Sequence, residues 1–368
     1  MSNNPVLVAN PGAHTAAYRP EIDAAIKRVL DSGWYILGKE VEGFEKEFAS
    51  YIGTQHCVGV ANGTDAIAII LQAAGIGLGD EVITTSHSAV ATTAAIEQVG
   101  ATPVFADIDP ETFTLDPVSV ESRISSKTKA LAPVHIYGHP VNIPAFQKIA
   151  LEKDLFLLED CAQAHGAKFK GNSIGRFGHA ASYSFYPTKN LGAIGDGGGI
   201  TTDVDTFAEE MKALRQYGWK ERYVSSINGV NSRLDELQAA ILRVKLKGLH
   251  KDIARRQEIA ARYNEALENQ ESILAPKVKA DYEHAYHLYV VLAEDRQKLE
   301  QHLKAESINS TYHYPLAIHQ QSAYAQRIRG GDDLPVTEHV YKNVLSLPMY
   351  PELTEKEIAR VCKALESF

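Results

Sequence analysis

Four stretches of the chain combine residue types that can do chemistry. Ser182-Tyr183-Ser184-Phe185-Tyr186-Pro187-Thr188-Lys189-Asn190-Leu191-Gly192 has the pattern of a strand that leaves a sheet at a proline and presents an amine in a loop. A lysine amine becomes a nucleophile near neutral pH when burial or a neighbouring cation depresses its pKa. Glu159-Asp160-Cys161-Ala162-Gln163 ends an apolar run in two acids. Asn62-Gly63-Thr64-Asp65 opens a run through Ile67, Ile70 and Leu71 at helical spacing. There glycine permits a tight turn, Thr64 or Asp65 can cap the helix, and free N–H groups can hold a phosphate. Gly195-Asp196-Gly197-Gly198-Gly199 is a turn entering another strand. Taken singly, each has a plainer account: a capped turn, a helix cap at a sheet edge, a surface lysine, a backbone requirement.

Taken together they suit one cofactor. Pyridoxal 5'-phosphate needs a lysine amine for covalent attachment, a carboxylate to keep the ring nitrogen protonated, and N–H and hydroxyl donors for its phosphate. The chain offers Gly63 and Thr64, then Asp160, then Ser184, then Lys189 in that order. It has no Walker lysine pattern and no G-x-G-x-x-G, which removes the commonest nucleotide-binding explanations. Cys57, Cys161 and Cys362 form no C-x-x-C pair, so neither a thiolate zinc site nor a disulfide frame is expected, and no metal is assigned.

Such residues need a sheet whose strand ends converge, because ligands of open α/β sheets bind outside the carboxyl ends of the strands. Strand-like runs at 56–61, 81–85, 103–107, 130–136, 155–160 and 181–185 alternate with helical stretches, and several are apolar throughout. That rhythm predicts a doubly wound α/β fold with a largely parallel sheet. Long amphipathic helices follow at 204–217, 234–246 and 251–267. A smaller α+β segment from about residue 283 has predicted strands at 286–292 and 310–313 and helices at 295–305 and 354–366. The expected division is 1–245 for the large cofactor-binding domain and 246–368 for a C-terminal small domain with bridging helices. Arg329-Gly330-Gly331-Asp332-Asp333 has the composition of a mobile loop.

Bulk properties agree. The 368 residues are 45% hydrophobic and 23% charged, which suits a soluble chain with more than one core. The net charge of -9 gives no global attraction to nucleic acid or an anionic membrane. No apolar run is long enough to span a bilayer, and the start of the chain lacks a signal-peptide pattern, so a cytoplasmic protein is expected.

The chain resembles the DegT/DnrJ/EryC1/StrS family of pyridoxal-phosphate-dependent nucleotide-sugar aminotransferases over almost its whole length. The resemblance is carried by 32–38, Gly63-Thr64-Asp65-Ala66, 133–138, Glu159-Asp160-Cys161-Ala162-Gln163-Ala164-His165-Gly166, 184–192, 231–240, and Tyr314-Pro315 with His319. It implies the type I aminotransferase fold, with a mixed, mainly parallel sheet. It implies that Lys189 attaches the cofactor and moves the proton, Asp160 pairs with the ring nitrogen, Gln163 bonds the ring hydroxyl, and Gly63, Thr64 and Ser184 bind the phosphate. Asn231 would reach the phosphate of a neighbouring copy, which implies a homodimer with shared active sites. Two positions depart from the family. Ala89 stands where many relatives have an aromatic residue that stacks on the ring, with His87 as a substitute or simply a polar helix-start residue. Ala317 replaces a proline near His319.

The lysine loop followed by Gly195-Asp196-Gly197-Gly198 resembles the subgroup acting on dTDP-3-keto-6-deoxyhexoses. The implied reaction moves an amino group from L-glutamate to the keto carbon of such a nucleotide-linked sugar. Amination at C-4 is the alternative, and a cofactor-binding regulator is a third. Tyr35, Tyr183, His313, Tyr314 and His319 are candidate sugar or nucleotide contacts, each equally readable as a packed aromatic. Arg215, Lys220, Arg222 and Arg233 are candidates for the diphosphate, against the reading of a solvated helix end.

Overall fold

The computed structural model describes residues 4–325 and 327–368. Among them, seven strands form the main sheet: β1 His56–Val60, β2 Glu81–Thr85, β3 Thr102–Ala106, β4 Thr128–Leu131, β5 Phe156–Asp160, β6 Ala180–Ser184 and β7 Gly198–Thr202. Their order is β1-β7-β6-β5-β4-β2-β3. The pairs from β6 to β3 are parallel, and β7 runs antiparallel to both β1 and β6. The strands are almost wholly buried because helices cover both faces, which explains their continuous apolar runs. One layer packs Val41, Phe44, Phe48 and Ile52 against Tyr183, Phe185 and Leu157. The other packs Ile67, Ile70 and Leu71 against Val58, Val82 and Leu158.

The small domain has its own sheet, β8 Ile273–Leu274, β9 Tyr289–Ala293 and β10 Val344–Leu347, all antiparallel. Its core contains Tyr263, Tyr289, Leu299, Leu345, Ile358 and Leu365, together with Val6. The early chain is therefore not wholly part of the large domain: Val6 bridges to Ile308, and Met349 N–H donates to the Val8 carbonyl. The helix Leu249–Leu267 starts in the large core at Leu249 and Ile253 and ends in the small one at Ile259, Ala260 and Tyr263.

Several expectations need correction. The run 130–136 leaves the sheet after Leu131, and Ile136–Gly138 forms a 3₁₀ turn. Residues 310–313 form no strand beyond a single bridge from Thr311 to Ser346, whereas Val344–Leu347 and the helix Pro335–Asn343 were not anticipated. The segment at Arg329 is tied down: its carbonyl accepts from Phe105 N–H at 2.8 Å, and its guanidinium meets Glu81 at 2.9 Å. It lies along the open edge of β3 and satisfies backbone groups there.

Candidate functional site

Two chain reversals meet where β1 and β6 end. The helix Gly63–Ala73 begins directly after β1, and Asn62, rather than Thr64 or Asp65, is its cap: Asn62 Oδ1 accepts from Asp65 N–H at 2.8 Å. The first-turn N–H groups of Gly63 and Thr64 have no helical acceptor and point out of the helix end. A methyl group on Gly63 would lie 2.8 Å from Ser184 Cβ. Glycine is required for this approach, which brings Ser184 against the first turn of the helix. Two N–H donors, a hydroxyl and a helix N-terminus form a cradle suited to a phosphate.

Asp160 closes β5. Adjacent residues of a strand face opposite sides, and the two acids divide accordingly. Glu159 turns into the protein, accepting from the backbone N–H groups of Gly175, Phe177 and Gly178 and from His135 Nε2. His135 Nδ1 accepts from Val141 N–H at 3.0 Å, which fixes the proton on Nε2. His135, Glu159 and Cys161 bring ligand atoms within 4.8 Å of one another. Those of His135 and Glu159 are engaged in hydrogen bonds, and burial holds the Cys161 thiol well above its ordinary pKa. Asp160 turns the other way. Its carboxylate accepts from Thr92 Oγ1 at 2.7 Å and from Ala162 N–H at 3.1 Å. Burial raises its pKa, with those two hydrogen bonds and the Lys189 charge opposing the rise. A buried carboxyl in that state gains from a cation placed against it.

Lys189 sits on the turn that follows β6. Burial pushes its pKa down to about 8, with Asp160 pulling the other way. Lysine and carboxylate thus feel each other's charge. Neighbouring imidazoles are neutral: burial, and next the Lys189 charge, hold His165 at about 3 and His313 at about 4. The loop carrying the lysine is braced by Lys245, whose Nζ donates to the Gly192 carbonyl at 2.7 Å. Sequence reasoning missed Lys245; a lysine on the apolar face of the helix Glu236–Leu246 was the available signal.

The remaining wall comes from Gln163 and the small domain. Gln163 Oε1 accepts from Tyr137 N–H at 2.7 Å, and its Nε2 donates to Tyr314 Oη at 2.9 Å. The backbone donor decides which end of the amide faces the cavity, and it is the donor end. The Tyr314 phenol is pushed up to about 12 by burial, with Asp160 contributing, so it stays a neutral hydroxyl. His313 Nδ1 meets Ser346 Oγ at 2.8 Å. Tyr137 and Thr92 were also missed. Neither carries a sequence signal, since both act through contacts made between distant elements.

Other expected site residues lie elsewhere. His87 is a packed residue, 1% exposed, with Phe113, Tyr137 and Tyr341 edge-on around it and its Nε2 on the Tyr137 hydroxyl. Tyr183 is a core residue whose hydroxyl donates to the Ile174 carbonyl at 2.8 Å and whose ring packs on Phe48. His319 is held by Ser86 Oγ at 2.8 Å and by Glu338. Arg215 is spent on the Glu45 carboxylate and the Gly59 carbonyl and is 7% exposed, so it is structural. Lys220 and Arg222 lie on the exposed hairpin Trp219–Ser225, and Arg233 sits over the Tyr217 ring at 5.9 Å. Tyr35 and Asn231 are exposed on this chain.

A mainly parallel seven-stranded sheet with a depressed lysine facing a buried carboxyl, beside a helix N-terminus, is the architecture of aminotransferases that use pyridoxal phosphate. The lysine, the buried carboxyl and the helix N-terminus beside Ser184 suit that cofactor's reactive carbon, ring nitrogen and phosphate. The chain belongs to the DegT/DnrJ/EryC1/StrS aminotransferase family, whose model matches residues 17–366. It is 46% identical to dTDP-3-amino-3,6-dideoxy-alpha-D-galactopyranose transaminase of Aneurinibacillus thermoaerophilus, over 95% of this chain and 96% of that protein. Among solved structures it resembles Streptomyces venezuelae DesV in complex with a ketimine intermediate, with a TM-score of 0.97 and 43% identity, covering 99% of this chain and 98% of that one. It also resembles Bacillus subtilis NtdA with bound cofactor PMP, with a TM-score of 0.89 and 32% identity, covering 95% of this chain and 81% of that one. The protein is a sugar aminotransferase, and its cofactor is pyridoxal phosphate. No helix among the described residues is long and apolar enough to cross a membrane.

Proposed function

We propose that this enzyme transfers the amino group of L-glutamate to the keto carbon of a dTDP-linked 3-keto-6-deoxyhexose, giving the 3-amino sugar nucleotide and 2-oxoglutarate. The observation that carries the chemistry is the half-buried Lys189 on the turn after β6, electrostatically coupled to the buried Asp160 carboxyl that Thr92 and Ala162 N–H orient. The choice of C-3 and of dTDP rests on the activity for which the 46% identical relative is named.

The bound cofactor supplies an electron sink for the carbon attached to the transferred nitrogen. Asp160 keeps the ring nitrogen protonated, and Thr92 and Ala162 N–H orient that carboxylate. Lys189 Nζ, able to be neutral near pH 8, takes the proton from the donor carbon and returns one at the acceptor carbon. Gln163 Nε2 points a donor at the ring hydroxyl. The Gly63 and Thr64 amides and the Ser184 hydroxyl hold the phosphate.

His313, Tyr314 and Tyr35 are the proposed sugar or nucleotide contacts, with Lys220, Arg222 and Arg233 for the diphosphate. We assign the working unit as a homodimer in which Asn231 completes the neighbouring phosphate site. Its exposure, with exposed Trp34, Tyr35, Ile36 and Tyr217 on the same chain, supports that reading. The free, buried Cys57, Cys161 and Cys362 support a cytoplasmic setting.

The test is to incubate the purified enzyme with L-glutamate and follow the cofactor spectrum, then to add dTDP-3-keto-6-deoxyglucose and identify the product by mass and NMR. Amination at C-3 is expected. Amination of the 4-keto isomer alone, or persistence of the visible cofactor band and turnover in Lys189→Ala, would overturn the proposal.

A further inference from the structure

The Tyr137 backbone orients Gln163, while its hydroxyl has no role so far and reaches toward the His313 segment. Its backbone N–H fixes Gln163 Oε1 at 2.7 Å. Its hydroxyl lies between two partners, the His313 carbonyl and His87 Nε2 at 2.9 Å. A carbonyl only accepts, so the single phenolic hydrogen goes to His313, and His87 must donate from Nε2. Burial separately holds His87 at about 3, so the ring is neutral, with its one hydrogen on Nε2. His87 is itself immobilised, edge-on to Phe113 and Tyr341, with its backbone N–H on Thr85 Oγ1. The Tyr137 hydroxyl is therefore anchored in the large domain on one side and holds the small domain on the other.

The turn grips the small domain at a second place. Leu288 N–H donates to the Tyr137 carbonyl, and Ala285 N–H donates to the Gly138 carbonyl at 2.9 Å. Gly138, at φ +97°, has no side chain to separate the strands: a methyl group there would lie 3.0 Å from Tyr286 N. Tyr137 itself is held at φ +60°, a conformation that non-glycine residues adopt only where their surroundings impose it.

We propose that the Tyr137 hydroxyl is a latch that holds the His313–Tyr314 segment in the nucleotide-sugar site, making Tyr137 a positioning residue for the sugar half of the reaction. This rests on the reading of the site under Proposed function. Both half-reactions use Lys189, Asp160 and the cofactor. The larger sugar nucleotide also leans on His313 and Tyr314, so loosening that segment weakens one substrate and spares the other.

The test is Tyr137→Phe, which keeps the backbone donor to Gln163 and deletes only the hydroxyl. Amide hydrogen exchange at 311–316 should accelerate by about tenfold in the cofactor-free and the loaded enzyme, while exchange in β4 and β5 stays unchanged. The KM for the keto-sugar nucleotide should rise by at least about fivefold, with the rate of the glutamate half-reaction within about twofold of the parent enzyme. Exchange and KM both at parent values would overturn the latch, as would equal losses in both half-reactions. Should Tyr137→Phe fold poorly, Ser346→Ala puts the same question from the far side of His313, with the same KM selectivity expected and its absence counting against the proposal. A parent enzyme that never reacts with glutamate would refute the function, whereas the exchange measurement still judges the latch.

Discussion

Lys245 donates its buried ammonium to the carbonyl of Gly192, three residues beyond the amine that does the chemistry. Two lysines at about 8 thus share one loop, one carried on it and the other committed to holding the turn. Lys245→Met should leave Lys189 unbraced. The expected result is a several-fold fall in the glutamate half-reaction, with the cofactor still bound and its visible band shifted in pH midpoint, followed by stopped-flow absorbance.

The same lysine gives a signed pH dependence of stability. Its folded pKa, about 8, lies below the ordinary lysine value of 10.5. The unfolded chain therefore binds more protons between those values, and native stability from this group rises with pH across that window and is lost as pH falls through 8. Measured as a difference between parent protein and Lys245→Met by urea unfolding of the cofactor-free chain, the gap should move in the parent's favour from pH 8 to pH 10. A gap that is flat with pH would contradict the depressed value.

Asp160→Asn keeps an oxygen for the Thr92 hydroxyl but cannot hold a ring nitrogen protonated. Turnover should fall by roughly 10²-fold or more, in the range associated with removing a positioned acid or base. Cofactor binding, measured by absorbance titration, should weaken far less.

Gly63→Ala tests the phosphate cradle. The added methyl would meet Ser184 Cβ at 2.8 Å and Cα at 3.3 Å. Overpacking of this kind costs ~1–3 kcal/mol, so cofactor affinity should drop by roughly tenfold or more. Fluorescence titration against the parent apo-protein measures it.

Glu236 accepts from the N–H groups of Gly38, Glu40 and Val41 at 2.8 to 3.0 Å, capping the helix Lys39–Ile52 from a neighbouring helix. Hydrogen bonds to a charged group contribute about 1.5–3 kcal/mol, so Glu236→Ala should lower the unfolding free energy by at least that amount. Glu236→Gln, which keeps the oxygen serving Gly38 and Val41, should cost less. Chemical denaturation of the two variants in parallel orders them.

The ends of β1, β5 and β6 were legible because strands covered on both faces are apolar to their tips, so a polar residue at the tip stands out. Asp160, Ser184 and the Asn62-Gly63 turn stand out that way. The error at Tyr183 had a readable remedy: if Ser184 faces the cavity, its neighbour along the strand faces the opposite side. His87, Arg215 and Tyr137 were not legible. What each does depends on Tyr341, Glu45 and His313, residues 150 or more positions away in the chain, and local spacing holds no trace of them. The misassigned 310–313 strand shows the same limit, because its β-like composition serves a single bridge and the rest of it meets the other domain.

The helix Leu249–Leu267 is seated in one core at its first turns and in the other at its last. Nineteen residues make a rod of about 28 Å, and a continuous rod embedded at both ends does not fold at its middle. The two lobes are thereby kept in a fixed relation along that axis. A proline placed near Arg256 should break that coupling, lowering the cooperativity of unfolding followed by calorimetry.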